Sequence, residues 1–398
     1  MDSEKQSIMS KSVAIIGTRG YPSYYGGFET AVRKIAPYLV DCGWDVNVYG
    51  RAGATKDSDP TRDRRVRSTT TLGLENKSLS TLTFGLTSVL HSMFAKPDVA
   101  LVMNVANGFW LPLLRLRGIP SVVNVDGIEW ERAKWGALAK FVFKLGARFT
   151  ARFGTVLVSD SVEIQRRWKT EFGRDSVFIP YGGDFPGQID IHPGLEHGKY
   201  VLMVARFVPE NTVAEFFAAA ERIAEDHPVV IVGSSGYGGE LDARAADLSN
   251  CHSNVSWLGH VSDDQKLMSL WQHAGAYFHG HSVGGTNPAL VQAMACGAPV
   301  VARRTPYNIE VLANEAFLVE SDPVAIEAAV RLMVTDSVAR AEASSANRKR
   351  AQEHYNWPSV CGRYEKALRE MLGFFDRKKS PMHPAEATAG TASRINGE

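Results

Sequence analysis

The sequence predicts an α/β protein with two domains, each built on a doubly wound parallel β-sheet. A chain of 398 residues exceeds one ordinary hydrophobic core. Short apolar, β-branched runs alternate with amphipathic helical runs, which is typical of parallel sheets covered by helices. The pattern restarts after a glycine- and proline-containing stretch at residues 181–199, which we interpret as the linker. Two such domains facing each other would form a ligand cleft at the carboxyl ends of their strands.

Residues 12–180 form the predicted N-terminal domain. Val13–Ile16 is its first strand, followed by the loop Gly17–Gly27 and a helix from Phe28 to about Cys42. Further strands are predicted at Asp45–Tyr49, Val66–Thr70, Val99–Met103, Ser121–Val125, Thr155–Val158 and Val177–Ile179. Helical patterns between them include Leu79–Phe94 and Glu131–Phe153.

Residues 200–355 form the predicted C-terminal domain. Its strands are predicted at Tyr200–Val204, Val229–Val232, Val255–Leu258, Ala276–Phe278 and Pro299–Ala302. We expect residues 356–375 to form a last helix that packs back on the N-terminal domain. Residues 376–398 are rich in Lys, Ser, Pro, Ala, Thr and Gly, which predicts a disordered tail.

Composition narrows the class of protein. Apolar residues make up 44% of the chain without a run near 18 residues, so we expect a globular protein with no spanning helix. Residues 1–11 are polar and lack the apolar segment of a secretory signal. The four cysteines are scattered without a CxxC pair, which favours reduced thiols in a cytoplasmic protein over a disulfide frame or a metal site.

The net charge of +1 is unevenly distributed. Lys and Arg outnumber Asp and Glu in residues 1–180, and the reverse holds in residues 181–398. This asymmetry predicts an N-terminal domain that faces either an anionic membrane surface or a phosphorylated substrate. No nucleic-acid-binding motif accompanies the positive charge, so we expect no nucleic-acid partner.

A glycine loop at residues 279–288 joins a predicted strand to the helix Ala289–Cys296. Asn287 is a good N-cap, Pro288 suits the first helical position, and Gly297 ends the helix. Backbone N–H groups and the positive helix end would then meet at one spot, which suits a phosphate or pyrophosphate. A tight connection without a ligand is the alternative. A second loop that places Gly26 and Gly27 before a helix favours phosphate binding.

Several motifs resemble one known family. These are Val13-Ala-Ile-Ile-Gly-Thr-Arg-Gly-Tyr-Pro-Ser-Tyr-Tyr-Gly-Gly-Phe-Glu-Thr, Asn124-Val-Asp-Gly-Ile-Glu-Trp-Glu-Arg-Ala-Lys-Trp, Ile179-Pro-Tyr-Gly-Gly-Asp and Val204-Ala-Arg-Phe-Val-Pro-Glu-Asn. Over residues 12–372 the chain resembles retaining glycosyltransferases of family 4, which have the GT-B fold. The motifs are similar to the subgroup of bacterial rhamnosyltransferases of surface-polysaccharide assembly.

The resemblance implies that the cleft binds a nucleotide-diphosphate sugar. In the family, an arginine at the position of Arg206 contacts the diphosphate, where a guanidinium can bind two oxygens at once. The implied donor-binding residues are Gly26, Gly27, Arg206, Asn211, His281, Gly284, Gly285, Thr286, Asn287 and Gln292.

This chain departs from the wider family at three of these positions. Many members carry glutamates where Gly284 and Gln292 stand, the second of them on the nucleotide ribose, and a lysine where Asn211 stands. An amide at 292 can still donate and accept hydrogen bonds. The departures leave open whether activity is tuned or lost.

Three polar residues are the predicted catalytic set, namely Asp126, Asp160 and Tyr181. A retaining transferase of this type needs no dedicated base, because the leaving phosphate oxygen can take the acceptor's proton. The alternatives are a turn aspartate before Gly127, an N-cap of the helix near Ser161, and linker packing for Tyr181. We expect no metal and no cofactor, with arginine and helix dipoles replacing a cation.

The predicted helix at residues 131–153 bears on the acceptor. Its basic side chains recur every four residues, at Lys140, Lys144, Arg148 and Arg152. Such a helix can lie on an anionic bilayer, or it can be a solvated helix whose aromatic residues enter the core. Leu79–Phe94 could be a second element at the membrane surface, or a packed helix.

The sequence therefore predicts a retaining, metal-independent glycosyltransferase. It would transfer a sugar, with L-rhamnose suggested by the subgroup, from a dTDP- or UDP-linked donor to a lipid-linked or growing surface polysaccharide. The expected location is the cytoplasm, with peripheral contact at the inner face of the plasma membrane. A nucleotide-sugar 2-epimerase and a degenerate, non-catalytic nucleotide-sugar-binding partner protein are the alternatives.

Overall fold

The computed structural model describes residues 10–24, 26–55, 58–75, 80–125, 127–132 and 135–379. The described residues form two parallel-sheet α/β halves, which confirms the predicted fold class. The predicted disordered tail at 376–398 falls outside the description from residue 380 onward.

The N-terminal half contains a seven-stranded sheet. Its strands are β1 (Ser12–Ile16), β2 (Asp45–Arg51), β3 (Arg67–Thr71), β4 (Val99–Met103), β5 (Ser121–Asn124), β6 (Val156–Ser159) and β7 (Val177–Phe178). The helices that cover it are α1 (Gly27–Asp41), α2 (Ser80–Ala95), α3 (Leu111–Leu116), α4 (Ala137–Phe153) and α5 (Val162–Phe172).

The C-terminal half repeats this plan with six strands. They are β8 (Val201–Val204), β9 (Val229–Val232), β10 (Val255–Trp257), β11 (Ala276–His279), β12 (Val300–Arg303) and β13 (Leu318–Val319). Its helices are α6 (Val213–Ile223), α7 (Glu240–Cys251), α8 (Asp264–His273), α9 (Pro288–Ala295), α10 (Pro306–Leu312), α11 (Pro323–Thr335) and α12 (Ser337–His354).

Both sheets are parallel and reverse their strand order once. The orders are β3-β2-β1-β4-β5-β6-β7 and β10-β9-β8-β11-β12-β13. The reversals lie between β1 and β4 and between β8 and β11, where Ile15 pairs with Leu101 and Met203 pairs with Phe278. The central strands are apolar and almost fully buried, as expected for strands covered by helices on both faces. Crevices at the carboxyl ends of these strand pairs are where open α/β sheets bind ligands.

The last helix, α13 (Trp357–Lys379), returns to the N-terminal half. Tyr364 and Leu368 share a buried cluster with Ile35 and Leu39 of α1. The hydroxyl of Tyr364 also accepts a hydrogen bond from Nδ2 of Asn124, 2.7 Å away. The helix therefore closes the N-terminal core after the chain has completed the C-terminal half.

The structure differs from three sequence expectations. The helix predicted at Glu131–Phe153 begins only at Ala137, because Gly136 is extended and residues 129–131 form a separate 3-10 turn. Helix α13 continues to Lys379, four residues beyond its predicted end at 375. Strand β13, of two residues at the sheet edge, was not predicted.

Helix α4 is held by small residues and exposes its basic side. Gly146, Ala147 and Thr150 are buried, while Lys144, Arg148 and Arg152 are exposed. Leu138 and Phe141 are also exposed, at 78% and 61%. No helix among the described residues has both the length and the apolar character needed to cross a bilayer.

Candidate functional site

A cleft of about 1170 Å³ separates the carboxyl ends of the two sheets. Both halves contribute to its lining. Most of the residues predicted for the site line it, namely Gly26, Gly27, Asp160, Tyr181, Arg206, Asn211, His281, Gly284, Gly285, Thr286 and Asn287. Asp126 lies outside the described residues, so its predicted role stays a prediction.

The glycine loop after β11 has the predicted strand-to-helix geometry. Asn287 caps α9, and its side-chain oxygen accepts a hydrogen bond from the N–H of Ala289 at 2.9 Å. Pro288 occupies the first turn of the helix, where a backbone N–H has no helical hydrogen bond to make. Gly284 has φ of +103°, a conformation that favours glycine. The positive end of α9 therefore points into the cleft.

The same loop contacts the N-terminal half. A Cβ at Gly127 would stand 2.9 Å from Cα of Gly284, and a Cβ at Gly285 would overlap the carboxylate of Asp160. Thr286 donates hydrogen bonds from its N–H and its hydroxyl to the backbone oxygen of Asp160. Glycine at these positions allows the two halves to meet backbone to backbone.

Two arginines from different halves lie near this loop. Arg206 follows β8, and its side chain is exposed to the cleft. Arg132 is buried and pairs with Glu129 at 2.5 Å. One guanidinium nitrogen of Arg132 lies 3.3 Å from the position of a Cβ at Gly284. Arg132 was not among the predicted site residues, although it stands in the motif at 124–135.

Asn211 holds the backbone of Arg206 and the ring of His281. Its Nδ2 donates to the carbonyl of Arg206 at 2.8 Å, so its Oδ1 faces Nδ1 of His281 at 2.6 Å. An amide oxygen only accepts, so Nδ1 of His281 carries the proton. Burial lowers the pKa of His281 well below its usual range, and nearby His279, Arg132 and Arg206 lower it further. Neutral His281 thus presents Nε2 as a hydrogen-bond acceptor.

Gly27 lies where the N-termini of α1 and α9 approach each other. A Cβ on Gly27 would be 3.3 Å from the Tyr181 hydroxyl and 3.3 Å from Cγ of Pro288. The buried carboxylate of Glu29, in the first turn of α1, accepts the N–H of Arg19 at 3.1 Å. A carboxylate therefore stands at this end of α1, as the Asp160 carboxylate stands against Gly285 in the other loop.

Gln292 does not line the cleft. Its Oε1 accepts the N–H of Asp184 at 2.9 Å, and its Nε2 donates to the carbonyl of Asp184 at 2.8 Å. The Asp184 carboxylate in turn pairs with Lys34 of α1 at 2.6 Å. The structure therefore joins Gln292 to the linker, and its predicted contact with a nucleotide ribose stays a prediction.

The N-cap interpretation of Asp160 is wrong. Ser161 caps α5, and its hydroxyl accepts the N–H of Ile164 at 3.0 Å. Asp160 is instead buried beneath the glycine loop at the cleft wall. Within the described ranges, no group of three or more His, Cys, Asp or Glu residues is arranged to hold a metal ion.

Two family models match the chain. The model described as glycosyl transferase 4-like domain matches residues 26–182, and the model for glycosyl transferases group 1 matches residues 188–350. No curated protein sequence matches the chain.

Solved structures share the architecture at low sequence identity. Sucrose-phosphate synthase from Thermosynechococcus elongatus is 18% identical with a TM-score of 0.74, over 92% of this chain and 100% of that one. Anabaena HepE in complex with UDP is 16% identical with a TM-score of 0.70, over 90% and 100%. A mutant of S. aureus TarM in complex with Fondaparinux, alpha-GlcNAc-glycerol and UDP is 11% identical with a TM-score of 0.69, over 92% and 100%.

One family model matches the N-terminal half and the other matches the C-terminal half, and the chain has the same fold as these solved structures. The chain is a glycosyltransferase of the GT-B type.

Proposed function

We propose that the protein transfers a sugar from a nucleotide-diphosphate donor with retention of configuration. The proposal rests on one observation: Arg132 and Arg206, from opposite halves, both lie near the glycine loop at the N-terminus of α9. Backbone N–H groups, a helix dipole and two guanidinium groups near one spot suit a diphosphate. The UDP complexes of HepE and TarM, two proteins of the same fold, support a nucleotide diphosphate as the anion.

The leaving diphosphate gains negative charge as the glycosidic bond breaks. Preorganised donors and cations at that point lower the barrier without rearrangement. Arg206 would supply positive charge, and Arg132, whose own charge is paired with Glu129, would add guanidinium N–H donors. These groups are the physical basis for proposing a metal-independent reaction with no cofactor. The leaving oxygen then takes the proton of the acceptor hydroxyl on the same face.

The sugar would lie between His281 and the N-terminal half. Nε2 of His281 can accept a hydrogen bond from a sugar hydroxyl, and it lies 3.7 Å from the position of a Cβ at Gly284. Asp160 and Tyr181 line the same cleft, and we propose that they orient the sugar and the acceptor. Asp126 keeps its proposed role on the acceptor side.

The acceptor is proposed to be a lipid-linked or growing surface polysaccharide. Support comes from α4, where Lys144, Arg148 and Arg152 are exposed next to exposed Leu138 and Phe141. Basic side chains with apolar neighbours suit an anionic membrane surface. We propose a cytoplasmic protein in peripheral contact with the inner face of the plasma membrane, with a dTDP- or UDP-linked donor and L-rhamnose as the first sugar to test.

A panel of UDP-, GDP- and dTDP-sugars, incubated with the protein and a membrane lipid extract, tests the proposal. We expect release of nucleoside diphosphate from one donor only when lipid is present, and a product with the donor's anomeric configuration by NMR. Epimer formation without lipid would indicate the 2-epimerase instead. Nucleotide binding without turnover of any donor would indicate a non-catalytic binding protein.

A further inference from the structure

His279 ends β11 and is 3% exposed, yet it belongs to the lining of the cleft. Its Nδ1 lies 3.0 Å from the hydroxyl of Tyr277. Its Nε2 is buried and has no hydrogen-bond partner among the described residues. A buried polar atom without a partner is costly, so a ring nitrogen left in this state at the wall of a ligand cleft indicates a missing partner.

The charge and the tautomer of this imidazole follow from its surroundings. Burial lowers the pKa of His279 to about 3, so the ring is neutral at physiological pH. Burial also raises the pKa of Tyr277, whose phenol therefore keeps its proton. A phenol that donates to Nδ1 leaves the single imidazole proton on Nε2.

The surroundings of the cleft at this point suit a nucleotide. Val204 and Val232, at the ends of β8 and β9, line the cleft together with Trp271 of α8. The His281 ring, beside the glycine loop, is centred 6.3 Å from the His279 ring. His279 therefore stands between an apolar wall and the loop that we assign to the diphosphate.

We propose that Nε2–H of His279 donates a hydrogen bond to an oxygen of the bound nucleoside diphosphate, with Tyr277 as the residue that fixes the donating tautomer. This inference rests on the proposed use of a nucleotide-sugar donor. It adds a neutral hydrogen-bond donor to a site whose other anchors are charged or belong to the backbone. Since the donating imidazole has no net charge, the contact adds a directional hydrogen bond to the site without adding positive charge.

Calorimetry with UDP, GDP and dTDP on the full chain is the first test. For the diphosphate that wild type binds, His279→Phe should weaken binding roughly tenfold, the value of one hydrogen bond. His279→Gln, whose amide N–H can reach the position of Nε2, should restore most of the affinity. His252→Gln, a histidine outside the cleft, is the control. The titration is then repeated with the matching nucleoside, which has no phosphate. If His279 contacts a phosphate, His279→Phe should not weaken nucleoside binding; if it contacts the nucleoside, the loss of affinity should persist.

The outcomes separate the inference from the proposed function. Absence of binding of all three diphosphates by wild type would contradict the nucleotide-sugar function. Binding by wild type that His279→Phe leaves unchanged, in a variant with unchanged melting temperature, would overturn only the inference.

Nitrogen-15 NMR of the His279 ring tests the role of Tyr277 independently of activity. We expect the Nε2–H tautomer in wild type and a mixture of tautomers in Tyr277→Phe. An Nδ1–H tautomer in wild type would contradict the proposed donor.

Discussion

Gly285 of the C-terminal half packs directly against the carboxylate of Asp160 in the N-terminal half. A Cβ at position 285 would overlap Oδ1 of Asp160, while Thr286 beside it donates to the Asp160 carbonyl. The absence of a side chain at 285 therefore sets how closely the two walls of the cleft approach. Asp160, which contacts the glycine loop, is therefore both a packing residue and one of the proposed site residues.

The first prediction concerns this contact. In Gly285→Ala the new methyl group displaces Asp160 or the loop, so we expect kcat/KM of the transfer to fall by at least about tenfold. Gly187→Ala is the matched control, because a Cβ at 187 meets no atom within 4 Å. Equal kinetics of both variants and wild type would show that the close approach has no part in turnover.

The second prediction concerns the arginines. Removing a charge-assisted contact should weaken nucleoside diphosphate binding by about 1.5–3 kcal/mol in Arg206→Ala. Calorimetry measures this directly. Arg304→Ala removes an arginine that pairs with Glu315 away from the cleft, and it should leave the affinity unchanged. Wild-type affinity in Arg206→Ala would remove this residue from the proposed site.

The third prediction concerns Gln292. Gln292→Ala deletes two hydrogen bonds to the backbone of Asp184, so we expect the free energy of unfolding to drop by about 1–3 kcal/mol. Affinity for the nucleoside diphosphate should stay at the wild-type value. Denaturant unfolding measures the free energy of unfolding, and calorimetry on the same samples measures the affinity. Weakened binding with unchanged stability would support the ribose contact predicted from the family resemblance.

The fourth prediction concerns pH. The folded-state pKa of His279 is about 3, and the unfolded chain binds its proton near the ordinary value of about 6.5. As the pH falls below that ordinary value, the unfolded state binds a proton that the folded state does not bind, so the free energy of unfolding falls. This histidine should contribute up to about 1.4 kcal/mol per pH unit between pH 6 and 4. Unfolding free energies of His279→Gln should show a correspondingly shallower pH slope, and identical slopes would contradict the buried neutral ring.

The fifth prediction concerns the basic side of α4. Reversing the charge at Lys140, Lys144, Arg148 and Arg152 should abolish co-sedimentation with anionic liposomes, because the attraction to the headgroups is lost. Lys349→Glu with Lys366→Glu places two charge reversals on other exposed helices and should leave sedimentation intact. Sedimentation of the α4 variant at the wild-type level would exclude this face as the membrane contact.

Local patterns in the sequence predicted most of the fold. The apolar strand runs and the restart after residue 199 lead to two parallel sheets, and residues at the strand ends fall in the cleft because parallel strands end at one edge. Strand β13 was missed, although β7, an edge strand of the same length, was predicted. The start of α4 was misplaced because the apolar and charged residues before Gly136 continue a helical pattern, whereas Gly136 itself is extended.

The site was harder to predict because its contacts join distant parts of the chain. The pairing of Gln292 with Asp184 spans 108 residues, and no local pattern reveals it. The approach of Arg132 to Gly284 depends on how the two halves meet. That Nε2 of His279 has no hydrogen-bond partner in the described part of the chain is seen only in the folded structure.

The rate of nucleoside diphosphate release from the preferred donor, with lipid present, tests directly whether transfer takes place at this site. We predict that wild type and Arg304→Ala share one kcat/KM, while Arg206→Ala falls at least about tenfold. Equal kcat/KM in all three would contradict the claim that transfer takes place at the arginines and the glycine loop.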